Sequence, residues 1–380
     1  MTATVRPDLS ADLYRINDPD SIRSPGLVIF RECLEHNLAE MIRIAGDAGR
    51  LRPHCKTHKM PDVIRRMADL GIHKHKCATL AEAEMLAAAG VNDVTIAYQM
   101  VGPNVDRLIA LKDKYPETRF TVLVDHRGPL KSLAESLQGT PHEIHVLLDV
   151  DSGMGRTGIA AGDEAALLYE MICSTPGIVP AGLHWYDGHH RHPDPHDRQA
   201  AVQAAWQPLE QMRNRLLLEG LPVPRISVAG TGTFPILAEM GEPDLELTPG
   251  TTTLYDIAYH ENYPDLNLLP AAGVLTRVVS CNRDGYLTLD CGHKSISPDQ
   301  PDGQRTAIPE LPDAEETSHT EEHLVIRTSQ AGRFSPGDHL VALPRHVCPT
   351  VALHREATVV SDGNVVDVWE VTARDRRITV

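Results

Sequence analysis

Between residues 27 and 250 the chain alternates short apolar or β-branched runs with helix-like segments, and this alternation restricts the fold more than any other feature. The runs are LVIF (27–30), RPHCKT (52–57), KHKCAT (74–79), DVTIAY (93–98), FTVLVD (120–125), EIHVLLDV (143–150), VPAGLHWY (179–186), RISVAG (225–230) and LELTPG (245–250). After the first run, Leu34, Leu38, Met41 and Ala45 keep the spacing of one buried helix face. A second helix carries Val63, Met67 and Leu70 and stops at Gly71. Thr79 and Glu82 form a capping box for a third, which ends at Gly90. Repeated strand–helix units imply a parallel sheet, and about eight of them in about 230 residues fit a closed (β/α)8 barrel.

Past residue 260 the rhythm changes. GVLTRVVS (273–280), GYLTLDCG (285–292), HLVIRTS (323–329), HLVALP (339–344) and ATVVSDGNVVDVWEVTAR (357–374) read as strands joined by Gly, Pro and Asp turns without helical spacers. The expected organisation is an N-terminal segment (1–26) packing with the β domain, a barrel (27–260) and a C-terminal antiparallel β domain (261–380). Residues 297–322, rich in Pro and acid, read as a solvated loop. With 36 basic against 52 acidic residues the net charge is −16, so no basic surface invites nucleic acid or an anionic membrane. Seven scattered cysteines do not suggest a disulfide framework. No run approaches the roughly 18 apolar residues of a membrane span, and the N-terminus has no secretory pattern, so a cytoplasmic protein is expected.

The chemistry concentrates on LRPHCKTHKM (51–60). There Lys56 is expected at the C-terminal end of a barrel strand, where barrel enzymes place their reactive groups. Burial and the nearby Arg52 and Lys59 would favour a neutral amine, which Schiff-base chemistry requires. The same residues would also suit a surface lysine–histidine cluster. DVDSGMGRTGI (149–159) puts Arg156 on a turn after a strand. VAGTGTFP (228–235) and ELTPGTTTLYD (246–256) place Gly230, Thr231, Gly232 and Thr233, then Gly250 and Thr251, directly after strands. Such loops offer main-chain N–H groups and hydroxyls to a phosphate. Finally, His346 and Cys348 in LPRHVCPTVALH (343–354) would share one face of a β-strand and could reach a single ion. A buried cysteine beside a surface histidine is the ordinary alternative.

In this order the motifs resemble the fold-type III pyridoxal-phosphate enzymes, the alanine racemase-like barrels, and within them the D-threonine aldolase and D-serine dehydratase branch. RPHCKTHK is similar to that branch's cofactor-lysine signature, which implies Lys56, not Lys59, as the Schiff-base residue. DSGMGRTG is similar to the motif whose arginine contacts the cofactor's phenolic oxygen, here Arg156. The resemblance implies Tyr186 facing the cofactor and His192 as the base for the substrate hydroxyl, while His189, His190 and His196 also suit a solvated loop. It implies a divalent metal at His346 and Cys348; the thiolate points to zinc, with manganese or magnesium, which prefer oxygen ligands, as alternatives. It assigns no clear task to Lys294, for which a structural role is expected, and it implies a homodimer. The implied activity is cleavage of β-hydroxy-D-amino acids to glycine and an aldehyde. The alternative is a zinc-dependent D-serine dehydratase. A metal-free racemase or lyase, a cofactor carrier and a plain phosphate-metabolising barrel are the competing classes; the 120 or so residues after the barrel speak against the carrier.

Overall fold

A computed structural model describes residues 7–380 and divides them into two units. One is made of Ile42–Lys56, Val63–Gly250 and Asp375–Val380; the other of the segment ending at Met41, Thr57–Asp62 and Thr251–Arg374. Residues 1–6 of the expected N-terminal segment lie outside the described residues.

The first run of the rhythm belongs to the second unit, which corrects its reading as a barrel strand. Strand β1 (Gly26–Phe30) pairs Leu27 with Val274 in antiparallel sense and Ile29 with Val359 in parallel sense. Its four residues 27–30 are all buried, as a central strand requires, and an apolar run of that kind does not reveal which sheet it enters.

The barrel itself is the parallel path β2 (Lys74–Cys77), β3 (Asp93–Gln99), β4 (Arg119–Val124), β5 (Ile144–Asp151), β7 (Ile178–Trp185), β8 (Ile226–Val228) and β9 (Leu245–Leu247), with the two-residue β6 (Ile159–Ala160) against β5. The eighth place in the ring is filled by residues 51–54. They form no regular strand, contrary to the expectation for RPHCKT, because Pro53 has no N–H to donate to a ladder. Isolated parallel bridges at Leu51–Leu247 and His54–Lys76 close the ring instead. Their bonds run from Arg52 N to Leu247 O (2.8 Å), from His54 N to Pro249 O (3.0 Å) and from Lys76 N to Pro53 O (2.9 Å). Lys56 then sits in a single 3₁₀ turn, Cys55–Thr57.

Arg52 holds this seam. Its guanidinium, wholly buried, reaches Asp93 at 2.8 and 2.9 Å and Glu246 at 2.7 and 3.1 Å. Arg119 joins on Asp93, while Lys74 and Arg225 join on Glu246. Burial opposes the carboxylates' charge, but these cations hold Asp93 far below the usual range and Glu246 at about 2. Arg52 is therefore fully engaged at the seam.

The helices follow the periodicity. α1 (Arg31–Ala45) buries Leu34, Leu38, Met41 and Ala45 completely, and α2 (Pro61–Asp69) buries Val63 and Met67, while Leu70 beyond its end is exposed. α3 (Leu80–Ala88) starts with Thr79 accepting from Glu82 N, and Glu82 reaches back to Ala78 N rather than to the cap residue. α4 (Asn104–Lys114), α5 (Arg127–Leu137), α6 (Asp163–Ser174), α7 (Pro195–Leu218) and α8 (Phe234–Glu239) complete the spacers. Trp206 on α7 packs edge-on against Trp185 of β7, centroids 5.5 Å apart.

In the second unit, α9 (Ile257–Asn262) precedes β10 (Ala272–Ser280), β11 (Tyr286–Leu289), β12 (Thr306–Ala307), β13 (Glu315–His319), β14 (Leu324–Arg327) and β15 (His339–Pro344). α10 (Val347–Leu353), β16 (Glu356–Ser361) and β17 (Asn364–Glu370) follow. All pairings are antiparallel except β1 with β16. Tyr14 packs on Phe30 and donates to Pro270 O (3.1 Å), which ties the N-terminal segment into this unit. Residues 297–322 are not simply a solvated loop: they contain β12 and β13, and Ile308 and Leu311 enter the core with Leu287, Leu324 and Leu340.

Replacing Arg52 by Met leaves two buried carboxylates facing each other, a change that typically costs about 3–5 kcal/mol. Urea unfolding is expected to show that loss, and Arg52→Lys is not expected to restore it, since an ammonium cannot make both bidentate pairs. Because Glu246 has a folded pKa of about 2 against an ordinary 4.5, its contribution is full above pH 4.5 and is lost as pH falls towards 2. The Met variant should show a shallower acid limb.

Candidate active site

The C-terminal ends of β2, β5, β7 and β8 bring together most of the residues singled out in the barrel. Tyr186, the first residue after β7, is the common neighbour. Lys56 Nζ lies 5.8 Å from its ring centroid and the Arg156 guanidinium carbon 5.0 Å. A second amine, Lys76 Nζ on β2, lies 5.7 Å away. Gly188 permits this arrangement, since a Cβ there would fall 2.2 Å from the Tyr186 hydroxyl.

Arg156 is placed by a tight turn. Asp151 accepts from Gly153 N (3.0 Å) and Gly155 N (3.1 Å), and Gly158 N donates to Asp125 (3.0 Å). Gly158 has φ +97°, and a Cβ on it would meet Asp151 N at 2.6 Å. Only glycine fits there.

Beneath Lys76 runs a buried chain of polar groups. Lys76 Nζ is 2.8 Å from His184 Nε2 and donates to Thr248 Oγ1 (3.1 Å); His184 Nδ1 is 2.6 Å from Asp149 Oδ1. Asp149 and His184 are register partners across β5 and β7, which explains their contact. Gln99 donates to Asp149 and to Asp125, both at 2.9 Å. Burial, with the charges of Lys56 and Arg156, pushes Lys76 down to about 7, against the opposing pull of Asp149 and Asp187. Burial likewise keeps His184 neutral-leaning.

The loop after β8 is built differently from the expectation. Asp187, wholly buried, accepts from Gly230 N (2.8 Å) and Thr233 Oγ1 (2.7 Å). Two of the four expected phosphate donors are thus spent on shaping the loop, leaving Thr231 and Gly232, both buried, with Gly250. Thr251 lies 3.9 Å from Cys348 Sγ and belongs with that group.

His346 and Cys348 do come together, but not on a strand. His346 caps α10 and Cys348 lies in its first turn, because the β15 ladder ends at Pro344. His346 Nδ1 bonds the Asp299 carboxylate, and Thr57 Oγ1 is 3.3 Å from Cys348 Sγ. Burial works against the His346 charge, yet the contacts with Cys348 and Asp299 raise it to about 9. An imidazole and a thiol, with a carboxylate behind the imidazole, form a donor set that fits a divalent metal. Among the described residues, His54, Cys55 and Glu82 also lie within 4.8 Å of one another. There the Glu82 carboxylate already accepts from Ala78 N at 2.6 Å, just ahead of α3.

His192 is exposed on the loop before α7, where its carbonyl accepts from Arg198 (2.8 Å). His196 is exposed as well, but His189 and His190 are half-buried, their rings tilted against each other with centroids 4.0 Å apart. Burial holds both below the usual imidazole range, His190 at about 4, which corrects their reading as solvated. Lys294 makes a surface ion pair with Glu322 (2.7 Å). Lys76 and Asp187 escaped the sequence reading, and His184, one of the histidines of 184–196 that also suit a solvated loop, is instead buried on β7. The available signal was a histidine inside the otherwise apolar β7 and a lysine within a barrel strand, which burial makes costly without partners.

The donor set around Tyr186 suits pyridoxal phosphate: amines for an aldehyde, a guanidinium, and hydroxyl and main-chain donors for a phosphate. The basic side chains of Lys56, Lys76 and Arg156 offset a dianion's charge. The barrel matches the family model for the alanine racemase N-terminal domain over residues 29–247, and residues 271–360 match a serine dehydratase domain. A D-threonine aldolase of Arthrobacter sp. is 31% identical over 360 residues, 93% of each chain. A 3-hydroxy-D-aspartate aldolase of Paracoccus denitrificans is 27% identical over 375 residues, 94% of each. The crystal structure of D-threonine aldolase from Filomicrobium marinum superposes with a TM-score of 0.87 at 29% identity, covering 93% of this chain and 96% of that one. No helix among the described residues is long and apolar enough to cross a membrane.

Burial raises the pKa of Asp187 from 3.8 to about 6 despite its two donors, and its Oδ2 has no partner. The folded state then binds more protons between those values, so stability falls as pH rises from 4 to 6. Asp187→Asn keeps an acceptor for Gly230 and Thr233 and cannot titrate. Thermal unfolding across that range is expected to lose this fall in the variant.

Proposed function

The chain belongs to the alanine racemase-like, fold-type III pyridoxal-phosphate enzymes, in the branch of D-threonine aldolases and D-serine dehydratases. On that premise we propose that it is a metal-assisted lyase cleaving β-hydroxy-D-amino acids of the D-threonine type to glycine and an aldehyde. The observation that carries this reading is the convergence of Lys56, Lys76 and Arg156 on Tyr186, in a chain that aligns almost end to end with an aldolase.

Pyridoxal 5'-phosphate, when bound, supplies the electron sink that makes cleavage of the Cα–Cβ bond feasible. Lys56 is the amine that would hold it. Arg156 would offer donors to its ring oxygen, Tyr186 would pack beside it, and Thr231, Gly232 and Gly250 would supply donors for its phosphate. Gly230 and Thr233 serve indirectly, by fixing the loop on Asp187. His346 and Cys348 would hold a divalent metal, which would supply Lewis acidity for the substrate hydroxyl. His192 would take the hydroxyl proton. The thiolate of Cys348 favours zinc over manganese or magnesium.

One observation favours a second reading, dehydration of D-serine to pyruvate and ammonia. The serine dehydratase match spans 271–360 and so includes both proposed metal ligands, one of them a cysteine. Product analysis separates the two. After chelation and addition of zinc or manganese, D-threonine is expected to yield glycine and acetaldehyde; pyruvate and ammonia from D-serine as the main products would select the dehydratase. Asp299→Asn, which removes the carboxylate behind His346, is expected to weaken zinc binding about 10–100-fold by calorimetry. The proposal extends to a homodimer, which sedimentation should show as about twice 41.7 kDa.

A further inference from the structure

We infer that Lys76 is a positioning residue of this site: through its contact with His184 it fixes that imidazole's tautomer. The inference rests on the reading of Lys56 as the Schiff-base lysine only for its consequence in the reaction.

The geometry carries it. Lys76 lies on a barrel strand, 2% exposed, yet it faces no carboxylate at hydrogen-bond distance. Its bonds go to His184 Nε2 (2.8 Å) and Thr248 Oγ1 (3.1 Å). Thr248 Oγ1 itself donates to Val228 O (2.8 Å), so towards Lys76 it can only accept. His184 Nδ1 contacts the Asp149 carboxylate and must donate to it. That leaves Nε2 as an acceptor, and a Lys76 N–H fills it. A buried lysine with no task would be a costly choice for the inside of a barrel.

The electrostatics give this amine a function. The charged groups facing it are Lys56 and Arg156, which disfavour its proton, and Asp149 and Asp187, which favour it. Lys56 and Lys76 stand 5.8 and 5.7 Å from one aromatic ring, and the charge of Lys56 works against a proton on Lys76. A proton gained or lost at Lys76 is felt at His184 Nε2, the nitrogen it contacts.

The test uses the full chain stripped of cofactor, with ¹⁵N-labelled histidine, and follows the His184 ring nitrogens by NMR against pH. His184→Gln supplies the assignment. The wild type should keep Nδ1 protonated throughout and show a step at Nε2 near pH 7, where Lys76 titrates. Lys76→Met should abolish the step, and Lys76→Arg should abolish it while Nε2 still reads as a hydrogen-bond acceptor. Lys56→Met should move the step to higher pH. In the holoenzyme, Lys76→Met should displace the pH dependence of cofactor absorbance, and Lys76→Arg should restore kcat more than KM. A step that survives in Lys76→Met, or one that Lys56→Met leaves in place, overturns the inference. If Lys76→Met does not fold, the Arg variant and the Lys56→Met shift decide it. Neither NMR outcome depends on the cofactor, so failure of the Schiff-base assignment would be seen separately, as absence of covalent labelling at Lys56.

Discussion

The double grip of Arg52 on Asp93 and Glu246 is the interaction on which the barrel, and through it the site, depends. The ring has one place where no ladder can form, because Pro53 interrupts the donors and only two isolated bridges span the gap. A guanidinium with five fixed donors satisfies two carboxylates at once, and four cations around those carboxylates keep them ionised in spite of burial. Burying so many charges is expensive unless nearly every lone pair is met. Here the arrangement lies at the N-terminal ends of the strands, and four residues later the same segment delivers Lys56 to the opposite ends. The barrel's stability and the position of Lys56 are thus set by one stretch of chain.

At the other end of the strands the charge balance is reversed in kind. Three basic side chains crowd around Tyr186, while the carboxylates beneath them are already engaged: Asp149 with His184, and Asp187 with its loop. A site of this type is short of negative charge and suits a phosphate-bearing aldehyde. The proposed metal site follows other rules. Asp299 bonds His346 Nδ1 and so leaves the other ring nitrogen to face outward, and Cys348 would add a soft ligand that discriminates between metals.

Much of this was legible in the residues, and the misses have specific physical causes. Seven parallel barrel strands, the fully buried face of α1, and the Lys56, Arg156 and Tyr186 cluster follow from periodicity and motif. LVIF did not, since a run buried on both sides fits a barrel and a central β-sheet strand equally well. His346 and Cys348 were placed on a strand because residues two apart share a face there; the strand ends before them, and an N-cap followed by a first helical turn also brings them together. The acidic composition of 297–322 hid Ile308 and Leu311, two apolar residues that dock into the core while their neighbours face water. Lys76 was invisible because strand position alone does not tell whether a lysine points outward or into a barrel.

The central claim is that Lys56 is the amine that bonds covalently to pyridoxal phosphate inside this ring of strands. Borohydride reduction of the holoenzyme followed by proteolysis and peptide mass spectrometry tests it directly. The label should fall on the peptide containing Lys56 and on no other, and recovery of it on Lys76 or Lys59, or on no lysine at all, would contradict the account.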